Sequence, residues 1–306
     1  MTRMGLPGGS ALVFFADPAA FLSEAGHFLA REPVVNTVVN VVTHRAVTED
    51  AAGVPRDPAA PRWWVLARDA SGEVVGVGMR TATAPPYALY LLPMPDSAAR
   101  ELGAVLVGRN EAAPRINGSL PSALACAEEI SRRTGGTALV DRHSRLFECT
   151  ELVLPTMPPG RLRPAELSDA QRCLDWFTVF HAEADAQAGR EGGGASEVSA
   201  HSIDDMRRRI EGGRILLWET PGGEVVHLTG VSAPAFGVSR IGPVYTPAEH
   251  RGRGYASAAV ALATQAIFDV GARACLFTDQ ANPTSNGIYQ AMGYRAVADT
   301  GDVVIE

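Results

Sequence analysis

The sequence predicts an α/β protein made of two similar halves, each a mixed, mostly antiparallel sheet flanked by helices. Three observations carry this expectation. Strand-length apolar runs alternate with helix-period segments along the chain. Both halves show one order: a helix-rich opening, an antiparallel meander, a helix, a strand, a helix and a close in strand. Between them stands Leu154-Pro155-Thr156-Met157-Pro158-Pro159-Gly160, whose three prolines and glycine continue neither a helix nor a central strand. The expected division is 1–154, a linker at 155–160, and 161–306.

In the first half, Asp17 is placed to cap a helix at Pro18–Arg31, with proline at its first position. A second helix is read over residues 34–43. Strands at 62–68 and 73–80 are joined by the hairpin signal Ala70-Ser71-Gly72, and residues 87–92 form another short strand. Asp96 reads as the N-cap of a helix over 96–107. A strand at 115–120 leads into a helix at 121–134 with proline near its start. Residues 137–153 are read as two closing strands. Trp63 and Trp64 are expected to fill this half's core.

In the second half a short strand at Arg161–Pro164 precedes a helix over 166–186, where Leu167, Ala170, Leu174, Phe177 and His181 recur at helical spacing. A glycine-rich stretch at 189–195, continuing to 202, is expected to be a mobile loop of the kind that gates sites. A helix at 204–211 follows. Strands at 214–219, 224–231 and Val238–Tyr245 read as an antiparallel meander. A helix at 254–270 ends at Gly271. A strand at 273–278, a helix at 284–292 and a closing strand at Tyr294–Ile305 complete the half.

Composition excludes several functions. Hydrophobic residues make up 46% and charged residues 20%, so the chain can bury a core. No apolar run reaches the roughly 18 residues a membrane helix needs. Asp17 interrupts the N-terminal apolar patch at 11–15, so neither a signal peptide nor a membrane partner is expected, and a cytoplasmic setting follows. All 27 basic residues are arginine, which removes Schiff-base and P-loop lysine chemistry. The net charge of −7 argues against a nucleic-acid partner. Cys126, Cys149, Cys173 and Cys275 are far apart, with no C-x-x-C pair, so reduced buried thiols and no metal are expected.

The segment with chemistry is Val244-Tyr245-Thr246-Pro247-Ala248-Glu249-His250-Arg251-Gly252-Arg253-Gly254-Tyr255-Ala256. An apolar strand enters an arginine- and glycine-rich turn and then an amphipathic helix. First-turn amides lack intrahelical acceptors, and the helix dipole adds positive potential. Small residues at 252, 254 and 256 let an anion reach the backbone. The plain alternative is a glycine turn with solvated arginines. The run is neither G-x-G-x-x-G, since Ser257 and Ala259 intervene, nor a P-loop, since lysine is absent.

Arg251-x-x-Gly254-x-Ala256, then Asn282, Tyr289 seven residues on, and Gly293-Tyr294 resemble the motif series of the GNAT superfamily of N-acetyltransferases. The resemblance covers residues 161–306. The first half, whose counterpart Leu92-Pro93-Met94-Pro95-Asp96 has no Arg-x-x-Gly pattern and carries an acid, resembles a degenerate second GNAT domain without the phosphate loop. The expected fold is therefore two tandem GNAT-like domains.

The resemblance implies acetyl-CoA as co-substrate. It would be held by Val244 and Tyr245 on the strand, by Arg251, Gly252, Arg253, Gly254, Tyr255 and Ala256 in the turn, and by Asn282 and Ser285 downstream. Members of the superfamily splay the strand at 243–245 from its neighbour with a β-bulge; none is visible in the residues. Asn282 before Pro283 is equally read as an N-cap. Tyr289 is implied as the general acid, with a core aromatic as the plain reading; its ordinary pKa of about 10 keeps its proton at neutral pH. A free alkylamine is almost wholly protonated at pH 7, a penalty upward of about 4 kcal/mol. Glu183 and Glu219 are the base candidates carried forward, beside His181, His227 and Asp279, and each has an ordinary structural reading too. Water-mediated deprotonation is common in the superfamily, so no single base is required.

The expected activity is direct acetyl transfer in a ternary complex to a primary amine of a small molecule, by a monomer or homodimer. A protein or peptide N-acetyltransferase, another acyl or aminoacyl donor, and a non-catalytic CoA-binding sensor are the alternatives. A dinucleotide oxidoreductase is the remaining rival, and it would bind NAD and not CoA.

Overall fold

The computed structural model describes residues 2–4, 11–187 and 202–306. The expected loop at 189–202 falls, up to residue 201, outside them. The chain forms two compact units, Met1–Arg145 with Ala298–Glu306, and Leu146–Val297. The division runs through two long strands, Ala138–Cys149 and Tyr294–Ile305. The proline-rich residues 154–160 are coil inside the second unit. Prolines interrupt hydrogen bonding, but which elements share a core is decided by pairing and packing.

In the first unit, β1 (Thr2–Met4), β2 (Ala11–Phe15), β3 (Trp63–Arg68), β4 (Val74–Arg80) and β5 (Leu89–Leu91) pair antiparallel in sequence order. β5 then pairs parallel with β6 (Arg115–Ser119). The last residues of the chain complete this sheet, with residues 300–304 antiparallel to 115–119. Helices α1 (Pro18–Arg31), α2 (Thr37–Ala51), α3 (Asp96–Gly108) and α4 (Leu120–Thr134) flank it. Trp64 is fully buried and Trp63 packs on the core, as expected.

Four readings of this half change. The patch at 11–15 is strand β2. Residues 138–149 are one long strand, β7, instead of two. The second helix starts later and runs longer than 34–43 because its inward face is partly polar. Thr37, Asn40 and Thr43 are fully buried. Trp64 donates to Thr43 at 2.9 Å, and the neighbouring Asn36 amide donates to the Leu29 carbonyl at 3.1 Å. Apolar periodicity cannot register such a face. Asp96 opens α3 in its first turn, with Pro95 at the cap position.

In the second unit the strand order is β8 (Arg161–Pro164), β9 (Ile215–Glu219), β10 (Val225–Val231), β11 (Val238–Tyr245) and β12 (Arg273–Asp279), followed by the end of β7. The long final strand Tyr294–Ile305 is β13. Pairing is antiparallel from β8 to β11 and parallel from β11 to β12. The helices are α5 (Ala170–Gln187), α6 (Ile203–Glu211), α7 (Tyr255–Asp269) and α8 (Pro283–Ala291). Along β9, Leu217 packs with Cys173, Phe177 and Met206 of α5 and α6. The next residue, Trp218, packs with Tyr255, Ala258 and Ala259 of α7, so helices cover both faces of the sheet. All four cysteines are buried and free. No helix of the described residues is long and apolar enough to cross a membrane.

Candidate functional site

A cavity of about 820 Å³ opens in the second unit where β11 and β12 separate. Their pairing runs only from Val238↔Arg273 to Ile241↔Leu276, although both strands continue. The cause lies on the other edge of β11. Thr229 faces Val244, but Val231 faces Ile241, so β11 carries one residue more than β10 across this interval. This is a β-bulge at Gly242 and Pro243, which bends β11 and ends its ladder with β12. Gly230 makes room for it, since a Cβ there would lie 2.6 Å from the Gly242 carbonyl oxygen. The bulge that the resemblance implies is thus present. Its traces in the residues are Gly230 and Gly242-Pro243 inside otherwise apolar strands.

One end of the cavity is the arginine–glycine turn. Gly252 and Gly254 sit at φ +74° and +82°, a left-handed backbone that favours glycine. Gly254 caps α7 with no side-chain acceptor, so the first amides of that helix are left without a side-chain partner. Arg253 donates to the Glu249 carbonyl at 3.0 Å. Arg251 donates through Nε to the Thr246 carbonyl at 2.9 Å, and through its other end to Glu183.

Glu183 projects from α5 into the same cavity and also accepts from the Tyr245 hydroxyl at 3.3 Å. Burial, reinforced by the Glu183 charge, raises the Tyr245 phenol above its ordinary value. On β10, His227 is fully buried between two threonines, with Nδ1 2.7 Å from Thr246 Oγ1 and Nε2 2.7 Å from Thr229 Oγ1. Burial pushes its pKa down to about 3, so at neutral pH it is an uncharged strut and no proton acceptor for an amine.

At the far wall, Tyr289 of α8 lines the cavity with its ring edge-on to Tyr294, centroids 5.9 Å apart. Burial pushes its pKa up to about 12. Asn282 caps α8, its side chain accepting from the Ser285 amide at 3.0 Å, and both residues line the cavity. Asn286 holds the preceding turn by donating to the carbonyls of Asp279 and Asn282, at 3.2 and 2.9 Å, and it accepts from Thr278. A lone asparagine in a helix gives no such signal in sequence. Phe180, Thr246 and His250 are further lining residues that sequence reasoning did not single out.

The structure brings together Val244, Tyr245, Arg251, Gly252, Arg253, Gly254, Tyr255, Ala256, Asn282, Ser285, Tyr289, Glu183 and Asp279 around one cavity. It does not bring Glu219 there. That carboxylate sits at the end of β9, receiving Arg161 at 2.9 Å and Arg163 at 2.7 Å, and these hydrogen bonds lower its pKa. Arg163 also holds Asp169 at 2.8 Å, so Glu219 belongs to an ion-pair network tying β8 to β9 and the start of α5. The side chain of His181 lies outside what is described. Among the described residues, no group of three or more His, Cys, Asp or Glu is placed to hold a metal ion.

The first unit lacks both devices at the corresponding place. All three residues of β5 pair with β6, and Gly118 lies so close to Leu91 that a Cβ would meet its carbonyl oxygen. The turn before α3 offers proline at the cap and the Asp96 carboxylate in the first turn, which repels an anion.

Residues 229–302 match the FR47-like protein family. Among solved structures, a GCN5-related N-acetyltransferase from Sphaerobacter thermophilus is 16% identical, with a TM-score of 0.59 over 95% of this chain and 94% of that one. A tandem GNAT protein from the clavulanic acid biosynthesis pathway is 14% identical, with a TM-score of 0.55 over 96% and 98%. A GNAT-family acetyltransferase from Colwellia psychrerythraea gives 14% and 0.50 over 96% and 98%. No curated protein matches the sequence.

Proposed function

From a chain that has the GNAT fold, with an FR47-like match over residues 229–302, we propose an acyl-CoA-dependent N-acetyltransferase. The observation that supports this most is the parting of β11 from β12 at a bulge, opening onto a helix N-terminus turned by Gly252 and Gly254. A long donor with an anionic diphosphate and an amide-bearing arm fits both features. Amides at 252–256 would hold the diphosphate. The unpaired edge of residues 242–245 would bind the arm as an added strand. Asn282 and Ser285 would contact it from α8.

Acetyl-CoA would supply an activated thioester to an acceptor amine. The backbone amide near Tyr245 would orient its carbonyl oxygen. The Tyr289 hydroxyl, with its pKa near 12, holds its proton through neutral pH at the wall where a thiolate would depart. Glu183, bonded to the Tyr245 hydroxyl, would face the acceptor, and His227 holds Thr246 through its ring nitrogen. The acceptor in this reading is a small primary amine, and only the second unit carries a working site.

A thiol-release assay with acetyl-CoA against a panel of small amines and peptides tests this. Amine-dependent release of free thiol, with an N-acetylated product by mass spectrometry, is expected. No release with any amine would leave a binding module without chemistry.

A further inference from the structure

The two arginines of the turn are held differently. Among the described residues, Arg253 donates to a backbone carbonyl, whereas Arg251 spends its outer nitrogen on the Glu183 carboxylate. The side chains of Arg251 and Glu183 are 41% and 33% exposed, and both line the cavity. An ion pair so exposed is weak, because solvent screens it and two long side chains must be held in one geometry, and it opens readily. A diphosphate offers more charge and more acceptor oxygens to the same guanidinium than one carboxylate does. Among the described residues, Glu183 would keep the Tyr245 hydroxyl once its arginine was drawn away. The surrounding wall is aromatic, with Phe180 on the cavity and the Trp176 ring 5.9 Å from that of Tyr245. A carboxylate uncompensated beside such a wall attracts a cation.

We infer that Arg251 is shared between Glu183 and the diphosphate of the donor, so that donor loading releases Glu183 as an anionic seat for the acceptor's ammonium. The inference rests on the acyl-CoA reading above and adds an order to it: the amine's seat is made when the donor binds. It also gives Glu183 a binding role toward the acceptor.

Calorimetry with coenzyme A tests the first half. Glu183→Gln and, as a second variant, Glu183→Ala remove the competitor for Arg251. Each is expected to bind coenzyme A about two- to fivefold more tightly than wild type. In an Arg251→Gln background the Glu183 substitutions are expected to change nothing. Equal or weaker affinity of both single variants would overturn the inference. If wild type itself binds no coenzyme A, the underlying reading fails instead.

Carbodiimide coupling of glycine ethyl ester, a cationic primary amine, tests the second half. Labelling of Glu183, read by mass spectrometry, is expected to rise when coenzyme A is present. Unchanged or reduced labelling would overturn the proposed release.

Discussion

Gly230 of β10 lies against the carbonyl of Gly242 on β11 so closely that a single added Cβ would stand 2.6 Å from that oxygen. The contact is with backbone on the bulge itself, so nothing flexible can yield. Gly230→Ala is therefore expected to cost about 1–3 kcal/mol of stability. It should also shift residues 242–245 and weaken coenzyme A binding, which thermal melts and calorimetry would show. Wild-type affinity in a stable variant would separate the bulge from ligand binding.

Tyr289→Phe keeps the ring against Tyr294 and removes only the hydroxyl. If that hydroxyl is the acid, kcat should fall about 10²-fold or more while coenzyme A affinity stays at the wild-type value. A variant with undiminished turnover would return Tyr289 to a packing role.

Glu219 anchors Arg161 and Arg163 and does not line the cavity. Its lowered pKa means its stabilising effect is present above the unfolded carboxylate range and lost as pH falls through the folded value. Glu219→Gln should lower the melting temperature at neutral pH and leave kcat unchanged. A collapse of kcat with intact stability would restore it as a base.

His227 is uncharged in the fold, with a pKa near 3 against an ordinary 6.5. Between these values the unfolded chain binds the extra proton, so stability falls as pH is lowered from 6.5. The slope contributed is about 1.4 kcal/mol per pH unit. Denaturant melts from pH 7.5 to 5 should show this loss, and His227→Gln should flatten it. An unchanged slope would mean that His227 titrates normally.

Much of this was legible in the residues because the local signals and the tertiary outcome agree. Asp17 with Pro18 gave the first helix at its observed ends, and Arg251-x-x-Gly254-x-Ala256 marked the turn at the cavity. The partly polar inner face of α2 hid its extent, since Thr37, Asn40 and Thr43 interrupt the apolar period there. Gly230 and Gly242-Pro243 are traces of the bulge, but they do not by themselves specify one, because an extra residue in a ladder depends on the partner strand's register. Glu219 looked like a free acid at a strand end until Arg161 and Arg163, distant in sequence, were seen to claim it. The divide between the units was likewise set by strands remote in sequence, Arg115–Ser119 and the chain's last residues.

The central claim is that the amides at 252–256 grip a diphosphate while the exposed edge of β11 takes the arm attached to it. A crystal structure of the protein with coenzyme A tests this most directly. Phosphate oxygens within hydrogen-bonding reach of those amides, with the arm running beside residues 242–245, is the predicted result. Coenzyme A bound elsewhere, or no bound coenzyme at saturating concentration, would contradict it.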